Sequence, residues 1–330
     1  MSPMPRVSIV IPVYNGANYV REAIDSSLAQ TGDDVEVIVI NDGSRDGGAT
    51  AEIAKSYGDR IRYIEKENGG VSSALNRGIA EMHGEWFCWL SHDDLYLPEK
   101  VARQLAFLDV HPDVRIVGCD FQMIDERGNV TGDFREHLRL VRTGCELMTS
   151  WVFGCGLMIH RSALDEAGLF NETNRTTQDL ELWLRLIERD PIHLLPEVLA
   201  QLRQHAEAGS RTELRYGQDK DDLFARILER YDATYFDPAA TTARQRAEVY
   251  WFVAGNAMSR ESWGGAKVAI NRAWREWPSL RNPAFKSRII GPRMMTRWWR
   301  LRGSIEGKLR GAARRLLPAA LVDWLRARRR

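Results

Sequence analysis

A chain of 330 residues, 44% of them hydrophobic, can bury one large core and a smaller appendage. The net charge of +1 hides an asymmetry: residues 281–330 hold fifteen Arg and Lys against Glu306 and Asp323, so residues 1–280 carry −12. No run approaches the roughly 18 apolar residues that span a bilayer, which excludes an integral membrane protein and leaves a soluble or surface-bound one.

The four cysteines, Cys88, Cys119, Cys145 and Cys155, have neither CxxC nor Cys/His metal spacing. They read as packing residues in a reducing compartment. The N-terminal MSPMPRVSIVIP has no apolar h-region and goes straight into a strand.

In chain order, Val7 to Pro12 is a predicted strand and Ala17 to Gln30 a helix with Val20, Ala23, Ile24 and Leu28 on one face. Val35 to Ile40 is a second buried strand, closed by the turn cluster Asn41-Asp42-Gly43-Ser44 before a helix over Ala49–Tyr57. Ile61 to Ile64 is a third strand, and Val71 to Met82 a helix entered through Asn68-Gly69-Gly70. Glu85 to Leu90 is an aromatic-rich strand that stops at Ser91-His92-Asp93-Asp94; Pro98-Glu99 then opens another helix. Strands alternating with helices of this length mean βαβ units and a parallel sheet. Beyond them come a strand over 114–119, a hairpin turning at Glu126–Asn129, a strand over 154–160, an amphipathic helix over 179–188 and a strand over 193–202. From Leu214 the pattern is helical. Boundaries fall near residues 212 and 281, giving an α/β domain (1–212), a helical extension (213–280) and a basic tail (281–330).

The strand ends carry the candidate chemistry, because open α/β sheets bind ligands there. The first strand delivers Pro12, Tyr14 and Asn15, and the second Asp42, suited to a base N–H or a ribose hydroxyl. Gly69-Gly70 permits close backbone approach, and the following helix aims its N–H groups at a phosphate. The fourth strand delivers Asp93 and Asp94, oxygen ligands for Mg²⁺ or Mn²⁺. Each has a plain structural alternative: Tyr14 packs, Asp42 makes an Asx-turn, the glycines turn the chain, and one aspartate caps a helix. Singly the alternatives win; together the residues describe a nucleotide-diphosphate site.

VSIVIPVYNGANYVREAIDSSLAQ, EVIVINDGSRDG, NGGVSSALNRGIAEMHGEWFCWLSHDDL and TTQDLELWLRL resemble the family 2 glycosyltransferases, over roughly residues 6–205. The resemblance implies the GT-A fold, a mixed and mostly parallel sheet flanked by helices. It implies an inverting transfer of one sugar from a nucleotide-diphosphate donor, a UDP-sugar before others, to a glycan or lipid-linked cell-envelope acceptor. Carried over, Asp94 holds Mn²⁺ or Mg²⁺ with His205, and Asp179 is the catalytic base. Pro12, Tyr14, Asn15, Asp42, Gly70, Asn76 and Asp93 face the donor, while segment 134–156 with Trp151 lines the acceptor pocket. Two positions depart from the family pattern: Ser91 stands where the metal motif usually begins with an acid, and Gln178 where a Glu precedes Asp179. Those departures keep open a non-catalytic sugar-nucleotide binder. A nucleotidyltransferase is disfavoured, since Tyr14-Asn15-Gly16-Ala17 has no early cation. The processive members' Gln-x-x-Arg-Trp segment and membrane helices are absent, which favours addition of one sugar or a few.

In the tail, Leu317, Leu321, Trp324 and Leu325 share a helical face while arginines crowd the other. This composition predicts an interfacial helix on an anionic membrane, hence a cytoplasmic protein peripheral on the inner membrane face. Nucleic-acid binding and a solvated tail are the alternatives, and no nucleic-acid partner is expected.

Overall fold

The computed structural model describes residues 5–32, 35–174, 176–207, 216–259 and 262–278. The basic tail and its expected membrane helix lie outside the described residues. The chain divides into two compact units, Met1–Asp219 and Lys220–Arg330.

The first unit is built on a mixed sheet. Its strands are β1 (Val7–Val13), β2 (Val35–Asn41), β3 (Arg62–Glu65), β4 (Trp86–Trp89), β5 (Leu95–Tyr96), β6 (Ile116–Ile124), β7 (Val130–Phe134), β8 (Leu140–Val141), β9 (Met158–His160) and β10 (Ile192–Arg203). The order is β3-β2-β1-β4-β9-β6-β10-β5, with β7 beside β6 and β8 beside β10. β1, β2, β3 and β4 are parallel, and β9 is antiparallel to both β4 and β6. β6 therefore runs with β4, as does its parallel partner β10. The C-terminal ends of β1, β2, β4, β6 and β10 thus share one edge. All seven residues of β1 and all four of β4 are buried, as continuous apolar runs covered on both faces should be.

Helices α1 (Val20–Leu28), α2 (Ala49–Lys55), α3 (Val71–Glu81), α4 (Lys100–Val110), α5 (Gly144–Thr149), α6 (Arg161–Ala167) and α7 (Gln178–Leu186) belong to this unit. The second unit is helical: α8 (Tyr216–Arg230), which begins in the first, then α9 (Ala233–Phe236), α10 (Ala243–Ser259) and α11 (Trp263–Glu276). Its core is aromatic and alanine-rich, with Phe224, Phe236, Val253, Ala254 and Ala269 all buried. Asp221 accepts from Ser262 Oγ at 2.7 Å and from the Gly264 N–H at 2.9 Å, fixing the start of α11 to α8.

Three elements differ from the sequence expectation. The strand expected over 154–160 begins only at Met158, because Gly154–Gly156 forms a 3-10 turn. The strand expected to end at Cys119 runs on to Ile124 and is itself the first arm of the hairpin. Two-residue strands β5 and β8, both antiparallel to β10, are too short to leave a periodic signal.

Candidate active site

The crevice begins with what Pro12 lacks. Val10 accepts the Leu90 N–H at 3.0 Å, so Val10 faces β4. Pro12, two residues on, faces the same side and has no N–H to offer. The pairing of β1 with β4 ends at Val10–Trp89, while β1 stays paired with β2 to Val13–Asn41. The sheet parts between β1 and β4, where its strand order reverses. Buried Pro12 shapes that mouth from within the strand. Tyr14, just beyond β1, is 43% exposed.

Asn15 adopts φ 51 and turns its side chain sideways. Its Oδ1 accepts the Arg45 N–H at 2.7 Å, and its own N–H donates to Ser44 Oγ at 2.9 Å. Asn15 joins two loops at the edge of the mouth. Behind it, Gly16 has no Cβ because one would run into Val13 and the His92 ring. Burial pushes the His92 pKa down, as does His205, while Asp93 pushes it up.

Asp42 is buried and already supplied with donors. Its Oδ1 accepts from Lys66 Nζ at 2.6 Å and the Gly69 N–H at 3.0 Å, and its Oδ2 from the Gly70 N–H at 2.7 Å. The Gly69-Gly70 amides, read from the sequence as a point of close backbone approach, face this carboxylate. Gly70 holds φ 89, a conformation that favours glycine. Lys66 was missed by sequence reasoning, and a lone lysine after a short strand gives no signal that would find it.

Asn76 does not reach the mouth. Its Nδ2 donates to the Phe170 carbonyl and Glu172 Oε1, both at 2.9 Å, and its Oδ1 accepts the Phe170 N–H at 3.0 Å. Ser72 Oγ donates to the Asn174 carbonyl at 3.3 Å. Helix α3 thereby anchors the loop that leads into α7. Asp179 lies half-buried in the first turn of α7, where its Oδ1 accepts the Leu180 N–H at 2.7 Å. Glu181 and Arg185 pair at 2.8 Å, and Arg185 also donates to the carbonyls of Ala167, Gly168 and Leu169. That holds the opposite side of the same helix.

The two aspartates after β4 part company. Asp94 is only 3% exposed; its Oδ1 accepts the Arg203 N–H at 2.9 Å and its Oδ2 meets Cys155 Sγ at 3.4 Å. Burial pushes its carboxyl well above the usual aspartate value, and the neighbouring Asp93 charge adds to this. Asp93 instead meets His205, with 2.8 Å between Oδ2 and Nε2. The sequence reading paired Asp94 with His205; the structure pairs Asp93 with it and turns Asp94 inward. Ser91 touches the same thiol through both N–H and Oγ, each at 3.4 Å. Burial first, then the Asp94 charge, pushes the Cys155 thiol well above its ordinary value.

Arg203, at the end of β10, organises this corner. Its buried guanidinium donates to the Asp93 carbonyl at 2.9 Å and the Glu126 carbonyl at 3.2 Å, and pairs with Glu22 at 2.6 Å. It lies 4.5 Å from the centre of the Tyr19 ring, whose edge meets His205 at 4.9 Å. One buried cation thus links β4, β10, α1 and the β6–β7 turn. The sequence offered Leu202-Arg203-Gln204-His205 as a segment, but nothing in it singled out the arginine. Among the described residues no group of three or more His, Cys, Asp or Glu gathers as a metal cluster.

The family model "Glycosyl transferase family 2" matches residues 8–167. An uncharacterized glycosyltransferase of Rickettsia felis is 44% identical over 231 residues, 68% of this chain and 38% of its own length. One of Rickettsia prowazekii is 42% identical over 233 residues, 68% of this chain and 72% of its own. The chain therefore spans well under half of some curated relatives it matches. Among solved structures, Staphylococcus aureus TarS 1-349 in complex with UDP-GlcNAc superposes with a TM-score of 0.58 at 16% identity, over 84% of this chain and 91% of that one. The Pyrobaculum calidifontis mannosyltransferase PcManGT, in complex with GDP-Man and Mn²⁺, superposes at 0.56 and 19% identity, over 92% and 85%. The fold shared with them is GT-A.

Proposed function

Because the chain belongs to glycosyl transferase family 2, we propose that it moves one sugar from a nucleotide-diphosphate donor to an acceptor hydroxyl, with inversion and with a divalent cation. The observation that carries this reading is the meeting of Asp93 and His205 beside the β1–β4 crevice. The structural neighbours crystallised with UDP-GlcNAc and with GDP-Man support the donor class, and a UDP-sugar is the preferred donor. Tyr14 offers an exposed ring for the base. Asp42, having three donors already, serves chiefly to hold Lys66 and the Gly69-Gly70 turn along the donor path.

One carboxylate oxygen and one imidazole nitrogen fit a cation that completes its shell with phosphate oxygens and water; the nitrogen favours Mn²⁺ over Mg²⁺. Asp94 does not fit, since its oxygens face the Arg203 N–H and the Cys155 thiol in the interior. Asp93 and His205 would hold the cation, which would supply positive charge to neutralise the departing nucleoside diphosphate. Asp179 takes the proton of the acceptor hydroxyl as that oxygen attacks the anomeric carbon and the carbon–diphosphate bond breaks.

Asp179→Asn tests the reading. The amide keeps the shape and cannot take the proton, so transfer falls about 10²–10⁴-fold while donor affinity holds. If affinity fell together with rate, Asp179 would belong to the donor site or to the fold. A wild-type protein that binds donors and never releases nucleoside diphosphate would favour the non-catalytic binder instead.

The acceptor is a glycan or lipid-linked glycan of the cell envelope. The basic, Leu/Trp-bearing residues 281–330 dock the enzyme on the cytoplasmic face of an anionic membrane, each Arg or Lys contributing about 1 kcal/mol. No described helix is long and apolar enough to cross a membrane. Full-length protein sedimenting with anionic vesicles, and a chain cut near Pro283 failing to do so, is the expected pair of results. Equal sedimentation of the two would leave the tail without this role.

A further inference from the structure

Among the described residues, the other exposed large hydrophobics, Tyr14, Val110, Val130 and Leu169, sit on other segments than Trp151, which is 50% exposed. Trp151 is also built in place. Its ring stacks on Phe134 at 4.6 Å and 26°, and Phe134 stacks on buried Phe121 at 5.0 Å and 11°. Its backbone N–H donates to Glu136 Oε2 at 2.8 Å, and Glu136 Oε1 accepts the N–H groups of His137 and Leu138. The Glu136 N–H in turn donates to Asp120, which is buried and forked by Arg139 at 2.9 and 3.1 Å. A solvated surface ring needs none of this support.

The chain also carries the ring to the active site. Phe153 packs on Phe121 at 4.7 Å. Gly154 lies against Trp89, at the end of β4, and near Trp183, four residues beyond Asp179, so a side chain there would press on the Trp89 indole. Cys155 touches Asp94. Four residues span at most about 14 Å, roughly the length of a short oligosaccharide.

We propose that Trp151, backed by Phe134 and Phe121, is the platform on which a neutral sugar ring of the acceptor stacks. This deepens the transferase reading and rests on it. A pyranose has one apolar C–H face and a polar rim, which matches a single exposed ring with the Glu136 carboxylate at its backbone. A lipid chain would need a continuous apolar groove, and one ring does not make one.

The test uses full-length protein with 5-fluorotryptophan, the Trp151 resonance being assigned by its loss in Trp151→Phe. Maltotriose, chitotriose and mannotriose are titrated separately, with farnesyl phosphate as the lipid arm. The expected result is a saturable shift of the Trp151 signal with at least one saccharide and none with farnesyl phosphate. A shift with farnesyl phosphate alone, or with no probe, overturns the platform. In turnover with the responding saccharide, Trp151→Ala raises the acceptor KM about 10–100-fold and Trp151→Phe restores most of it. An unchanged acceptor KM in Trp151→Ala also overturns the proposal. Absence of any donor turnover in the wild type would count against the transferase reading, whichever way the resonance moves.

Discussion

The two sides of the crevice treat their polar groups differently. On the β1–α3 side, the buried acceptor Asp42 is met by Lys66, Gly69 and Gly70. The one buried exception there, Asp46 Oδ1, belongs to a carboxylate whose other oxygen binds Thr50. On the side of Trp89 and α7, Trp89 Nε1, Asn174 Nδ2, Gln178 Oε1 and Trp183 Nε1 are buried with no hydrogen-bond partner among the described residues. An unpaired buried polar group costs about 1–3 kcal/mol. The β1–α3 side is thus fixed by its own hydrogen bonds, while the side of Trp89 and α7 holds polar atoms that none of the described residues satisfies.

This contrast orders the effects of substitution. The largest loss belongs to Asp179→Asn, which strikes the reacting proton. Trp151→Ala follows, confined to the acceptor KM because the donor side does not lean on that ring. The smallest effect is expected away from the crevice, at Glu36 near the start of β2, as stability alone. Burial pushes the Glu36 carboxyl up, but hydrogen bonds from Ser8, the His83 N–H, Arg62 and the Gly84 N–H outweigh it and leave the value lowered. A lowered carboxylate contributes stability above its unfolded value and loses it as pH falls through the folded one. Glu36→Gln should therefore lower Tm at pH 7 and narrow the gap to wild type as pH falls below about 4.5. Melting curves from pH 3 to 7 check this; parallel Tm profiles would show that Glu36 is not charged in the folded protein.

The sequence was informative where one local pattern carried the answer. Continuous apolar runs marked β1, β2 and β4 as central strands, and the acids and aromatics beyond them marked the edge that holds the site. What it hid depended on side-chain direction. Asp93 and Asp94 are adjacent, identical and followed by the same helix, and only the pairing of β5 with β10 brings one onto the Arg203 N–H and the other toward His205. Asn76, a donor residue only by the family resemblance, sits one and a half turns along α3 and bonds the loop before α7. Lys66 and Arg203 act across separations of 24 and up to 181 residues, and no periodicity reports such partners.

The central claim is that Asp93 and His205, and not Asp94, hold the cation. Mn²⁺ binding in the presence of UDP, followed by electron paramagnetic resonance, tests it most directly on wild type, Asp93→Asn, His205→Ala and Asp94→Asn. Asp93→Asn and His205→Ala should each weaken Mn²⁺ at least about tenfold without lowering Tm much. Asp94→Asn should lower Tm, since it disturbs a buried strut, while its folded fraction binds Mn²⁺ as the wild type does. A folded Asp94→Asn protein that has lost Mn²⁺, beside an Asp93→Asn protein that keeps it, would contradict the assignment.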